Sequence, residues 1–401
     1  MILINAVKTA ANYIFALSMP FTHIGGYAAV GLAFFVSWSS WGKHRAQPLK
    51  LLLKIFIIYG FVRAVFSGQP QVGYAAMFGY FSQWFLPLLL GMAAGDSKAA
   101  VKSFYIYMGA FFTLVFLSVL AYFGLFYKHL GADIYLVNEG LLKGLRSHIA
   151  MAALSLLFSF LAFSQTLYNQ KLSKNFRAFF AAAGIISLLA LALTGSRGYY
   201  IAAVLSYAAF GIYWFVQTGK IKAMIYAALA ASAVMALLLS VSPGLRQRVT
   251  GTKFSEPNVQ GRVILYKVAF WEIRERPFFG FGPGEGVKQE KYFNMLPPEQ
   301  QALKNHTHLH SFYLNFMADF GLAGFVIFIL MVFYWLKTVW TAYHSGSNFN
   351  KAVSFGLFWG IIGILAGDSF DTLLRGPGVA MELFWLTGIV IGLNESEKGD
   401  K

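Results

Sequence analysis

The feature that most constrains this chain is the recurrence of apolar runs of bilayer length, from its first residues to Leu393. A membrane-crossing helix needs about 20 mostly apolar residues. Such runs fall near 4–23, 24–41, 49–66, 72–92, 103–127, 147–167, 177–194, 198–216, 222–241, 311–336, 352–367 and 378–393 of the 401 residues. Charged residues make up only 12% of the chain, against about a quarter in a soluble globule. None of the runs alternates as a lipid-facing barrel strand would. The pattern predicts an all-α, polytopic integral membrane protein with one transmembrane domain over 1–401 and about twelve spans. A long outer segment, 242–309, with amphipathic helices is inserted between spans nine and ten. Lys8 and the apolar stretch after it look like a signal peptide, but another apolar run follows Pro20 and Gly25-Gly26 at once. That predicts an uncleaved first span, short or broken at Pro20.

The formal net charge is +16, and its distribution sets the sidedness. One alternate set of short connections carries Lys43, Arg45 and Lys50; Lys98 and Lys102; Lys171, Lys174 and Arg177; Lys220 and Lys222; Lys337 and Lys351. The opposite set is poorer, apart from the connection after span five with Lys128, Lys143 and Arg146. Basic loops stay cytoplasmic, so both termini are expected inside and segment 242–309 outside. Anionic headgroups account for most of the remaining basic residues. No soluble basic domain exists to present a surface to nucleic acid. The chain has no cysteine, which excludes disulfides, thiolate metal sites and thiolate nucleophiles.

The outer segment concentrates Arg246, Arg248, Arg262, Arg274, Arg276, His306 and His308, with His310 at the start of the next apolar run. Val263, Tyr266, Phe270 and Ile273 recur at helical spacing, with Arg262, Lys267, Arg274 and Arg276 largely on the other faces, which predicts an amphipathic helix ending at Pro277. The four glycines and Pro283 within Phe278 to Gly286 predict a close-packed loop. Pro297-Pro298-Glu299 predicts the start of a short second helix.

Three constellations have chemical potential. Thr194-Gly195-Ser196-Arg197-Gly198 sets an arginine at a tight outer turn between spans seven and eight, its planar fork suited to phosphate. The alternative is an arginine snorkelling to headgroups. His306, His308 and His310 invite a metal reading, but only His306 and His310 would share a helical face, and no acidic or cysteine partner lies alongside. A single histidine acting as general base near its ordinary pKa is more economical. Asp368, Asp371 and Arg375 in the last outer loop could orient a histidine or a sugar, or form a local acid–base pair. Asp319, inside span ten, is costly there unless paired.

These parts, in this order and on one side of the membrane, resemble the O-antigen ligase family and its wider polymerase and ligase superfamily. The resemblance rests on Thr194 to Gly198, on Gly261-Arg262 through Trp271, Pro277, Gly280 and Gly282, on His308 to Leu314, and on Gly321-Leu322-Ala323-Gly324. It covers roughly the second half of the chain. The family often has Asn after the last histidine, where this chain has Ser311. The resemblance implies a glycosyltransferase of the bacterial inner membrane with its active site facing the periplasm. It would move a glycan from undecaprenyl diphosphate to the sugar of a lipid A core, with inversion and with no metal or other cofactor. Arg197 and Arg262 would clamp the diphosphate, and His310, with His308 in reserve, would be the base. The competing readings are an O-antigen polymerase, a protein O-oligosaccharyltransferase and, from another class, a transporter of anionic lipid or sugar. Polymerases need no histidine here. A transporter would set its charges along the midplane and often show inverted repeats.

Overall fold

A computed structural model describes residues 2–37, 48–94, 97–131, 134–138, 140–219, 246, 257–286, 289–305 and 308–399. In chain order its helices are α1 (Ile2–Ser18), α2 (His23–Ser37), α3 (Pro48–Val65), α4 (Pro70–Met92), α5 (Ser97–Tyr122), α6 (His148–Tyr168), α7 (Lys174–Leu193), α8 (Arg197–Thr218), α9 (Pro257–Glu275), α10 (Glu290–Asn294), α11 (Phe312–Ser345), α12 (Asn348–Gly367) and α13 (Pro377–Gly399). Short 3-10 turns span Pro298–Asn305 and Leu373–Arg375. The expected second outer helix is therefore a 3-10 turn, preceded by α10, which the sequence reading missed.

Eight described helices, α4 to α8 and α11 to α13, are long and apolar enough to cross a bilayer. The protein is an all-α, multi-pass membrane protein. The expected twelve spans are matched only in part. As described, α1 and α2 have 17 and 15 residues, and α3 carries Lys50, Lys54 and Arg63. The expected span at 222–241 lies outside the described residues, as do His306, Arg248 and most of 242–256. The expected run 103–127 ends earlier, at Tyr122. Gly124 takes φ +78 there, and the Leu125 N–H returns to the Leu120 carbonyl at 2.8 Å, closing the helix with a left-handed glycine cap. Beyond it, two antiparallel ribbons form: β1 (His129–Gly131) with β2 (Ile134–Tyr135), and β3 (Val137–Asn138) with β4 (Leu141–Leu142).

The chain divides into two compact units, one of residues 1–107, 254–354 and 368–401, the other of 108–253 and 355–367. The first unit is built on an aromatic core: Phe56 of α3 stacks on Trp84 of α4 and on Phe316 of α11. Tyr80, Phe312, Phe320 and Phe328 pack around these rings. A π-helical turn, Phe81–Phe85, interrupts α4. Trp84, within it, donates from Nε1 to the Leu374 carbonyl at 2.8 Å and so pins the loop before α13. α4 and α13 touch backbone to backbone, because Gly91 and Gly388 leave no room for a side chain. In the second unit, α6 and α7 form a hairpin whose N-caps, Ser147 and Ser173, each accept a backbone N–H. Residues Gly356 and Gly360 lie directly against α6.

Two features of the first unit position residues 257–309. α9 buries Leu265, Val268, Ala269 and Glu272 and leaves Val263 and Phe270 more than half exposed. This corrects the expected apolar face of Val263, Tyr266, Phe270 and Ile273. The helix is apolar on both sides, and the side that wins meets Phe281, Phe293, Leu296, Leu309 and Ala318. α11 is broken at Gly321, with φ +65 and ψ −169. The glycine loop fills the break: Phe281 and Gly282 donate to the Ala318 and Asp319 carbonyls, while Leu322 and Ala323 donate to those of Pro277 and Phe278. A Cβ on Gly321 would lie 2.4 Å from the Phe279 backbone nitrogen. The predicted close-packed loop is thus an added strand of hydrogen bonds that repairs a discontinuous helix.

Candidate active site

In the second unit, Arg197 begins a helix after a tight local turn. Thr194 ends α7 and returns its hydroxyl to the Leu191 carbonyl at 2.6 Å. Gly195 turns the chain at φ +68. Ser196 donates its N–H back to the Thr194 hydroxyl, and α8 begins at Arg197. Tyr200 ties the new helix to the Ala192 carbonyl. Thr194 and Ser196 are buried, and Arg197 is half-buried. A cation at the first helical position opposes the helix dipole, so helix stability does not explain it. Together with the free N–H groups of a helix start, it suits an anion.

In the first unit, the histidines precede α11 and do not lie on it. Ser311 is the N-cap, its Oγ accepting from the Leu314 N–H. His310 adopts φ +52, a left-handed conformation unusual for a side chain with a Cβ. That kink brings the His308 and His310 rings to 4.4 Å between centroids, nearly edge to face. His306 lies outside the described residues.

Asp371 completes this cluster. Its carboxylate and a ring nitrogen of each histidine all lie within 4.8 Å of one another. The partner absent alongside the histidines in sequence comes from the loop before α13. Asp368 accepts the Leu373 and Leu374 N–H groups, and Asp371 accepts that of Thr372. The loop is stitched to the histidines through the Phe312 N–H, shared between the Asp368 and Asp371 carbonyls at 2.9 and 2.7 Å. Two histidines and a carboxylate form a set that can hold a proton or a divalent cation.

Arg262 and Tyr266 reach this cluster from α9, one turn apart. The Tyr266 hydroxyl donates to the His310 carbonyl at 3.0 Å, with the Ser369 carbonyl at 3.5 Å. Burial raises the Tyr266 pKa above the ordinary phenol value, with Arg262 opposing and Asp371 adding to the shift. Tyr266 therefore feels the arginine on one side and the aspartate on the other.

Beneath the histidines lies a second polar layer. Asn315, fully within the first turn of α11, accepts the Leu309 N–H at 3.4 Å and donates to Asp319 at 3.2 Å. The other Asp319 oxygen accepts the Gly286 N–H at 2.9 Å. Asp319, whose role was open in the sequence, thus holds the glycine loop and Asn315 together. Glu285 anchors the same loop by accepting the Gln69 N–H. Glu272 of α9 is fully buried, and neither of its oxygens has a hydrogen-bond partner among the described residues. Burial foremost, then the charge of Asp319, pushes its pKa up to about 9.

Of the sequence-predicted site residues, the first unit brings Arg262, His308 and His310 to one region, and Arg197 belongs to the second unit. Tyr266 and Asn315 were missed. The available signal was spacing: Tyr266 is four residues after Arg262, and Asn315 four before Asp319, each on a shared helical face. An open groove at the start of α5, lined by Lys98, Val101, Lys102, Tyr105 and Ile106, carries no acid or neutral base suited to sugar chemistry.

Residues 182–329 match the family model described as O-antigen ligase. No curated protein matches the chain. The matched stretch runs from α7 through the Arg197 turn, α9, the glycine loop and the histidines into the broken helix α11. It supports glycosyl transfer of the O-antigen ligase and polymerase type, with a lipid-linked glycan and a lipid acceptor. Over residues 182–329, about a third of its length, the chain is similar to the O-antigen ligase family.

Proposed function

We propose that this protein joins a glycan carried on undecaprenyl diphosphate to a sugar of a lipid A core, at the periplasmic face of the inner membrane. Segment 242–309 lies on that face in this reading, and Arg197 and Arg262 bind the diphosphate. His310 takes the proton from the acceptor hydroxyl as that oxygen bonds to the anomeric carbon. The bond from that carbon to the diphosphate breaks, and the diphosphate leaves with the electron pair. Attack from the opposite side inverts the anomeric centre. As charge builds on the leaving diphosphate, the two guanidinium groups stabilise it, which in a low-dielectric site is the dominant catalytic term. Asp371, beside both imidazoles, stabilises the imidazolium as it forms. His308 is the reserve base.

The observation that carries this reading is His310 itself: a half-buried histidine in a left-handed conformation, beside a carboxylate and facing the helix of Arg262. Strain of this kind persists where surrounding structure enforces it, and it clusters at working sites. No cation is needed in this reading, because arginines neutralise the diphosphate. The histidine cluster favours a ligase over a polymerase. A cell lacking the protein is expected to accumulate full-length polysaccharide on undecaprenyl diphosphate. Accumulation of single repeat units instead would make it a polymerase.

A further inference from the structure

His310 is held in its left-handed conformation from two sides. On one, the Tyr266 hydroxyl of α9 donates to its carbonyl at 3.0 Å. On the other, Asn315 accepts the N–H of the preceding residue, Leu309, and is itself oriented by Asp319. Leu309, Asn315 and Asp319 are all buried, so water does not compete for these groups. A residue with a Cβ relaxes from φ near +50 unless both flanking peptides are fixed. Without the Tyr266 hydroxyl the carbonyl of His310 loses this hydrogen bond, and the peptide between His310 and Ser311 is less firmly fixed.

The same hydroxyl sits one helical turn from Arg262. A shift of α9 as the arginine engages an anion is therefore transmitted to the His310 backbone through a single hydrogen bond. We propose that Tyr266 is the positioning residue that fixes His310 for proton transfer and links it to the diphosphate-binding helix, with Asn315 its counterpart on the Leu309 side. The inference rests on the ligase reading, in which His310 is the base. Tyr266 touches no reacting atom in this account and acts only through His310.

The test uses the purified full-length protein in lipid nanodiscs, with an undecaprenyl-diphosphate glycan as donor and lipid A core as acceptor. Wild type, His310→Ala, Tyr266→Phe and Asn315→Leu are compared for kcat, donor KM and donor binding. Tyr266→Phe removes one oxygen and keeps the ring. With His310→Ala inactive, Tyr266→Phe is expected to lose roughly ten- to a hundredfold in kcat, as for a misplaced catalytic group, while donor KM and donor binding stay within about twofold of wild type. Asn315→Leu should repeat that signature. A wild-type kcat in Tyr266→Phe, or a loss confined to donor binding, overturns the positioning role alone. If His310→Ala transfers glycan at the wild-type rate, the base assignment falls and the positioning role falls with it.

Discussion

Arg197 and His310 are fixed in opposite ways. The hydrogen bonds that shape the Arg197 turn run between Leu191 and Tyr200, around one left-handed glycine and a helix start, with the Tyr199 ring packed against Gly367. His310 depends on residues far apart in sequence: Tyr266 of α9, Asn315 of α11 and the loop that carries Asp368 and Asp371. That assembly rests in turn on the glycine loop lodged in the break of α11. A local turn can be built once and kept through any rearrangement of the bundle. A composite site can respond to what binds it, and it is also easier to damage from a distance.

The sharpest way to break this contrast is through the two left-handed glycines. Gly321→Ala forces a Cβ against the Phe279 backbone, which cannot yield as a flexible side chain would. It should cost several kcal/mol, roughly the scale of a severe packing or backbone defect, and remove most folded protein from size-exclusion chromatography. Gly195→Ala faces the ordinary left-handed penalty of about 1 kcal/mol, so its melting temperature should fall by only a few degrees. Equal damage from both would show that the Arg197 turn is as dependent on its surroundings as the composite site.

Arg197→Lys sharpens the local half. The turn should fold normally, but lysine keeps the charge and loses the planar, bidentate fork. Transfer is expected to fall by about a hundredfold, on the scale of removing one oxyanion donor. Near-normal transfer would make Arg197 an interfacial anchor.

Glu272→Gln tests the composite half. The folded-state pKa of Glu272 is raised to about 9 from an ordinary 4.5. As pH rises above 4.5 the unfolded chain releases this proton and the folded protein keeps it, so stability falls with pH until about 9. The slope from this one group is at most about 1.4 kcal/mol per pH unit. Glu272→Gln should flatten the wild-type decline in melting temperature between pH 5 and pH 8 and melt higher at pH 8. Parallel curves would mean that Glu272 finds water or a partner in the membrane.

The same contrast explains what the sequence disclosed. The Arg197 turn could be read residue by residue, because glycine, hydroxyl and arginine act within one segment. The all-α membrane class followed from run length, and the glycine loop from its composition. The buried face of α9 could not be read so. Val263 and Phe270 are as apolar as Leu265 and Val268, and packing against Phe281, α10, Leu296, Leu309 and Ala318 decides which side is covered. Asp371 stayed undecided between a local pair and a carboxylate that orients a histidine, because its own loop does not say which histidine some sixty residues earlier it meets. The pairing of His308 with His310 was missed because helical spacing was assumed where His310 turns left-handed.

The central claim is that His310 is the base of a glycosyl transfer that arginines, and no metal, make possible. It is tested most directly by measuring transfer and donor binding side by side for wild type and His310→Ala, each after exhaustive chelation. The account predicts full wild-type transfer in chelator, and for His310→Ala a loss of at least about a thousandfold, within the range for a general base, with donor binding intact. Chelator-sensitive transfer restored by a divalent ion would assign the His308, His310 and Asp371 cluster to a metal, and undiminished transfer by His310→Ala would move the base elsewhere.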